Sequence, residues 1–205
     1  MTQTSAPSGP IQALVFDAYG TLFDVTSVSS LCEDLFPGHG AAITATWRVK
    51  QLEYTWLCSL MGRYRDFAQL TAAGLRFACA DAGVALDEAT LARLMDSYQK
   101  LATYAEVPAT LKRLAQRVPL AILSNGTPAM LKGVTEYNGL QEHFKAVLSV
   151  DEVQVFKPSP HVYTLAAEQL DLPVEGLGFV SSNAWDACGA KAHGLRVFWI
   201  NRFKR

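Results

Sequence analysis

The stretch Ala13-Leu14-Val15-Phe16-Asp17-Ala18-Tyr19-Gly20-Thr21-Leu22 decides the fold. Four apolar residues run directly into an aspartate, and small, turn-forming residues follow at once. An apolar run of this length, without alternation, suits a strand buried on both faces of a parallel sheet. The switch to a polar residue at Asp17 then puts its carboxylate at the carboxyl end of that strand. In open parallel sheets, ligands bind in the crevice beyond those ends.

Working outward, strand-like runs recur at 11–17, 119–124, 145–150, 176–181 and 195–200. Segments of helical periodicity separate the last four, each long enough for one crossover. Alternating strand and helix predicts an α/β protein, a Rossmann-like parallel sheet core with helices on both faces. The first interval breaks the pattern, because up to a helix expected near Val107 it reads as helices only. Residues 41–61 carry Trp47, Leu52, Trp56 and Leu60 at helical spacing. Residues 66–82 continue, with Asp66 as N-cap and Gly83 as the stop. A further helix opens at Leu86-Asp87-Glu88 and is expected to run to about Ala102. The predicted plan is a core of residues 11–25 and 105–205, with a helical cap domain of residues 26–104 inserted after the first strand. The crossings fall near 24–27 and 103–108, so the cap lies over Asp17.

Of the 205 residues, 50% are hydrophobic and 18% charged, as in a compact core rather than a disordered chain. A formal net charge of −1 gives no electrostatic reason to expect nucleic acid or an anionic membrane as partner. No apolar run approaches the length of a membrane span. Residues 1–10 are small and polar, lack the apolar segment of a secretion signal, and read as a disordered lead-in. Cys32, Cys58, Cys79 and Cys188 are scattered, with no C-x-x-C and no His pair at zinc spacing. Reduced thiols in a cytoplasmic protein are expected, with no metal site.

Four polar groups stand at the ends of core strands: Asp17 with Thr21, then Ser124-Asn125-Gly126, then Lys157-Pro158, then Ser181-Ser182-Asn183-Ala184-Trp185-Asp186. An aspartate, a small hydroxyl residue, a lysine and a late aspartate, in that order along a βα chain, should converge on one crevice. Together with the cap segment Trp47-Arg48-Val49-Lys50-Gln51-Leu52-Glu53-Tyr54-Thr55-Trp56, they give a sequence that resembles the haloacid dehalogenase superfamily over nearly its whole length. Within it, the sequence is most similar to the L-2-haloacid dehalogenases. The D-x-x-G-T-L element is common to the superfamily; the elements around Arg48 and at 181–186 belong to the dehalogenase branch.

The resemblance implies a hydrolase of carbon–halide bonds, converting short-chain L-2-haloalkanoic acids to D-2-hydroxy acids plus halide. Asp17 is implied as the nucleophile, displacing halide with inversion at C2 and forming an ester that water then hydrolyses. Lys157 is implied to hold Asp17 ionised and oriented. Thr21, Ser181 and Asn183 would position the nucleophile and the water, and Asp186 would partner Lys157 and help activate that water. Arg48, delivered by the cap, would form a halide cradle with Asn125 and Trp185. Ser124 and the backbone around Ala18 and Tyr19 would hold the substrate carboxylate. Tyr163, one helical turn after Pro160, would reach back into the site. The only partners implied are the haloacid, water, halide and a second copy of the chain, with no cofactor. The aromatic surplus of Trp47, Tyr54, Trp56, Tyr64, Phe67 and Phe77 is compatible with such a dimer and equally with cap packing.

A phosphatase on the same scaffold needs Mg²⁺ to neutralise the transferred group, held chiefly by carboxylates. Tyr19 stands where such an enzyme carries a second aspartate, and the late acidic cluster is reduced to Asp186. A non-catalytic relative is disfavoured by the joint presence of Asp17, Arg48, Lys157 and Asp186. Taken singly, Asp17 reads as a turn residue, Arg48 and Lys157 as surface residues, Trp185 as packing, and Asn125 as a cap of the helix beginning near Gly126-Thr127-Pro128. Leu22, Leu57, Met61 and Tyr64 are candidates for the pocket wall, and Met61, Met95 and Met130 read as core filler. The family pattern runs on past the strand at 195–200 whereas this sequence ends at Arg205, so apolar surface is expected at that edge.

Overall fold

The computed structural model describes residues 9–202 and Lys204. Residues 1–8 of the expected lead-in lie outside them. The five expected strands all form, slightly trimmed at their ends: β1 Ala13–Phe16, β2 Leu120–Ser124, β3 Ala146–Ser149, β4 Leu177–Ser181 and β5 Arg196–Trp199. They make one parallel sheet in the order β3-β2-β1-β4-β5. Every residue of β1, β2 and β4 is buried. Successive side chains of a strand point to opposite faces, so a strand buried throughout requires cover on both. The cover comes from α6 Pro128–Tyr137 and α7 Pro160–Leu170 against the β2 and β3 side, and from α8 Ala184–Ala192 against β4 and β5. Edge strand β5 corrects one expectation: the apolar run 197–200 suits a strand buried on both sides by its sequence, yet among the described residues β5 has a neighbour on one side only and leaves Phe198, Trp199 and the following Ile200 exposed.

Four helices separate β1 from α5 Val107–Ala115: α1 Ser29–Leu35, α2 Gly40–Leu60, α3 Phe67–Asp81 and α4 Glu88–Ser97. Asp66 caps α3 by accepting from the Gln69 amide at 2.8 Å, and Asp87 caps α4 from the Thr90 amide at 2.7 Å. Each such cap is worth about 1 kcal/mol. Helices α2 and α3 pack closely along their length. Gly74 permits it, since a Cβ there would stand 3.1 Å from the Gln51 backbone nitrogen. Trp47 is buried between them and donates its indole N–H to the Thr71 carbonyl at 2.7 Å.

Two further expectations need correction. Helix α4 ends at Ser97, short of Ala102. Tyr98 and Leu101 both bury their side chains, and the chain then straightens so that Thr103 bridges Phe23. The two crossings lie side by side, tied by Asp24 N–H to the Ala102 carbonyl at 2.8 Å and Tyr104 N–H to the Leu22 carbonyl at 3.2 Å. Met61 is not core filler: the end of α2 turns Cys58 inward and leaves Leu57, Leu60 and Met61 facing outward. Met130 is buried and Met95 packs at the core margin, as expected. No described helix is long and apolar enough to cross a membrane.

Candidate active site

Asp17 follows β1 at the centre of the sheet, and its amide donates to the Val180 carbonyl of β4 at 2.9 Å. The sheet grows from β1 towards β2 on one side and β4 on the other, and crevices form at such reversals. Nearly all of Asp17 is buried. Its two oxygens are treated unequally. Oδ2 accepts from Thr21 Oγ1 and Asn183 Nδ2, each at 2.8 Å, and faces Ser181 Oγ at 3.4 Å. Among the described residues Oδ1 meets only Lys157 Nζ, at 3.2 Å. Gly20 adopts φ +88°, a left-handed turn that costs glycine little. This turn brings Thr21 back beneath Asp17. Ser182 locks it by donating its hydroxyl to the Gly20 carbonyl and its amide to Thr21 Oγ1 at 2.9 Å.

Lys157 is almost wholly buried and bridges two carboxylates, reaching Asp186 Oδ2 at 2.9 Å. Burial alone would pull the ammonium down, but Asp17 and Asp186 outweigh it and the net direction is up. Asp186 also accepts from Tyr163 OH at 2.8 Å and faces Ser181 Oγ at 3.1 Å. Burial pushes its carboxyl up to about 6, against the pull of Lys157. The Tyr163 phenol is driven above its ordinary value by burial and then by Asp186, so it stays a donor. Lys157 is itself placed from two sides. Its amide donates to Asn125 Oδ1 at 3.1 Å, and the preceding Phe156 amide donates to Ser59 Oγ of α2 at 3.0 Å.

The remaining expected residues surround this group at more distance. Arg48, half-buried on α2, donates to the Tyr19 carbonyl at 3.2 Å, as does Asn183. Ser124 Oγ accepts from the Gly126 amide at 3.1 Å rather than touching Asp17. Asn125 does not cap α6; Thr127 does, from the Met130 amide at 3.2 Å. Trp185 sits edge to face on Trp56, with centroids 5.4 Å apart, and lines a cleft of about 620 Å³ with Arg48, Leu52 and Asn183. Of the proposed wall residues, Leu22 is buried, Leu57 and Met61 face outward, and Tyr64 is occupied in a hydrogen bond to Asp151. Ala18 and Tyr19 are buried beside Asp17, and burial drives the Tyr19 phenol far above its ordinary value. Position 19 thus supplies a neutral, buried ring rather than a carboxylate. No group of three His, Cys, Asp or Glu among the described residues is arranged to hold a metal.

A sequence model of the haloacid dehalogenase-like hydrolases matches residues 11–194. The chain belongs to this family. Among relatives in the family, an (S)-2-haloacid dehalogenase of Pseudomonas sp. (strain YL) is 51% identical over 193 residues, 94% of this chain and 83% of the other. That of Pseudomonas fluorescens is 48% identical over 193 residues, 94% and 85%. The solved structure of L-2-haloacid dehalogenase from Xanthobacter autotrophicus with chloropropionic acid covalently bound superposes with a TM-score of 0.91 at 45% identity, covering 94% of this chain and 78% of that one.

Among the buried polar residues that the sequence did not single out as site residues, Ser182 joins the Asp17 turn, and Gln51 and Thr71 join Arg48 through a chain of hydrogen bonds. Ser182 stands within the 181–186 element. Gln51 follows Trp47 by four residues, so it falls on the buried face of α2, and a polar side chain at that period is the available signal.

Proposed function

We propose that the protein hydrolyses short-chain L-2-haloalkanoic acids to D-2-hydroxy acids and halide through an ester on Asp17. The carrying observation is the inequality of the two Asp17 oxygens. Oδ1, engaged by Lys157 alone among the described residues, keeps lone pairs for attack on C2. The new O–C2 bond forms as the carbon–halogen bond breaks, and halide leaves with the bonding pair, inverting C2. Oδ2 becomes the ester carbonyl oxygen. Thr21 and Asn183, already at 2.8 Å, are placed to hold the negative charge that grows there when water attacks Cγ. Asp186, with Ser181 and Tyr163, takes the proton of that water. Collapse breaks the bond from Cγ to the ester oxygen; Asp186 returns its proton to that oxygen, the 2-hydroxy acid leaves, and the regenerated Asp17 carboxyl gives up the remaining water proton to solvent.

Arg48, Asn125 and Trp185 receive the halide in this reading, while Ser124 and the Ala18 and Tyr19 backbone receive the substrate carboxylate. Residues 11–25 and 105–205 act as the core and 26–104 as the cap that closes on it. The enzyme works in the cytoplasm, where its four cysteines stay reduced. It pairs with a second copy through the exposed apolar residues Leu57, Leu60, Met61 and Phe77 of the cap. Halide release from L- and D-2-chloropropionate in EDTA, beside p-nitrophenyl phosphate hydrolysis with Mg²⁺, tests the reading. Release from the L form alone is expected. Phosphate release without halide release overturns it.

A further inference from the structure

Arg48 brings a full charge to the cleft and, among the described residues, meets no carboxylate. Its two hydrogen-bond partners are neutral: the Tyr19 carbonyl takes Nη2 at 3.2 Å and Gln51 Oε1 takes Nη1 at 2.7 Å. Gln51 is fully buried, and its other end is held as well, since Nε2 donates to Thr71 Oγ1 at 2.7 Å. The Thr71 hydroxyl passes its own proton to the Phe67 carbonyl at 2.6 Å. Donation therefore runs one way, from Arg48 to Gln51 to Thr71 to the backbone of α3. A flipped Gln51 amide would set donors against the guanidinium and an acceptor against a hydroxyl whose proton is already committed, so the chain admits one orientation.

We propose that Gln51 and Thr71 are positioning residues for Arg48, holding its guanidinium towards the cleft with an uncharged acceptor so that its charge stays available to the departing halide. The inference rests on the dehalogenase reading. A glutamate in place of Gln51 would anchor Arg48 more strongly, because ionised partners make the stronger bond. It would also neutralise the charge that draws the halide. The Tyr98 phenol packed beside this group is pushed up to about 12 by burial, against the opposing influence of Arg48 and Gln51, and stays neutral too.

The test uses the full chain with Thr71→Val, Thr71→Ser and Gln51→Glu. Rates are measured on L-2-chloropropionate and L-2-bromopropionate, and halide binding is measured separately from the ³⁵Cl NMR linewidth of chloride. Loss of the Thr71 hydroxyl in Thr71→Val leaves Gln51 Nε2 without its acceptor. The expected cost is about ten- to a hundredfold in kcat. It should be larger for chloride, the poorer leaving group, and accompanied by weaker chloride binding. Thr71→Ser keeps the hydroxyl and should stay near wild type. A packing role reverses that order, because valine keeps the shape of threonine and serine does not. Thr71→Val equal to wild type, or impaired less than Thr71→Ser, overturns the assignment. Gln51→Glu keeps shape and anchor, and unchanged chloride binding in it overturns the requirement for neutrality. Wild-type protein that releases no halide overturns the dehalogenase reading itself; wild-type release with unaffected variants overturns only this inference.

Discussion

Lys157→Met removes one ammonium from between two buried carboxylates while nearly preserving volume. Lys157 stands 3.2 Å from Asp17 and 2.9 Å from Asp186, with all three side chains 7% exposed or less. At an effective dielectric near 20, attraction over such distances is about 5 kcal/mol per pair. Desolvation of the ions cancels much of that gain. Breaking a buried pair by removing one partner nevertheless costs about 3–5 kcal/mol, because charge is left uncompensated. Against a typical total of about 5–15 kcal/mol, the variant would be folded but much weakened. Relief comes by binding a proton between the two carboxylates. A carboxyl group raised in the folded state is stabilising while protonated, and that stability is lost as pH rises from the ordinary carboxylate value to the raised one. Lys157 itself is raised, so its own contribution in the wild type disappears only above the ordinary lysine range. Urea unfolding should therefore show Lys157→Met gaining stability between about pH 7.5 and about pH 5.5 more steeply than wild type. A variant within about 1 kcal/mol of wild type at the upper pH, the scale of an exposed pair, with a parallel pH dependence, refutes the reasoning.

Three further outcomes are expected. Asp186, raised to about 6, accepts a proton only when ionised, so kcat should fall below that pH and level off above it. Its contribution to stability runs the other way, declining as pH rises from the ordinary value towards 6, and a pH–rate profile flat down to about pH 4 would remove Asp186 as the base. Gly126→Ala would place a Cβ 2.7 Å from the Tyr19 ring, which is hemmed in by Phe23, Phe67 and Tyr98. Overpacking there should cost about 1–3 kcal/mol in chemical unfolding, and an undiminished midpoint would contradict it. Tyr64→Phe deletes the bond to Asp151. A loss of about 1–3 kcal/mol and faster amide exchange near residues 62–66 are expected, against no change if the contact is idle.

The three inner strands were legible because burial on both faces leaves an apolar run with no alternation, as at 120–123, and because each of these runs ends in a polar cluster. The cap Asp66 was legible for an equally local reason, a carboxylate one residue before a helical period. What stayed hidden depends on contact between distant segments. The end of α4 is set by where Tyr98 and Leu101 bury and by the bridge between Thr103 and Phe23, neither of which helical periodicity records. Met61, near the end of α2, reads as core by composition alone, yet it faces outward with Leu57 and Leu60. Asp17, Lys157 and Asp186 converge as the order of the motifs predicted, but the chain of donation through Gln51 and Thr71 joins two helices and leaves only a polar residue on an apolar face as its trace.

The Phe156 amide is fastened to Ser59 on α2, and the very next amide, that of Lys157, to Asn125 at the end of β2. Two successive peptide units are thus moored to opposite shores, with no slack residue between them. Any lift of α2 away from the sheet strains the first mooring one residue from the ammonium that faces Asp17. The position of α2 and the alignment of Lys157 are therefore geared together, and in the proposed reaction Asp17 Oδ1 would meet its counter-charge in full register with α2 lying down on the sheet.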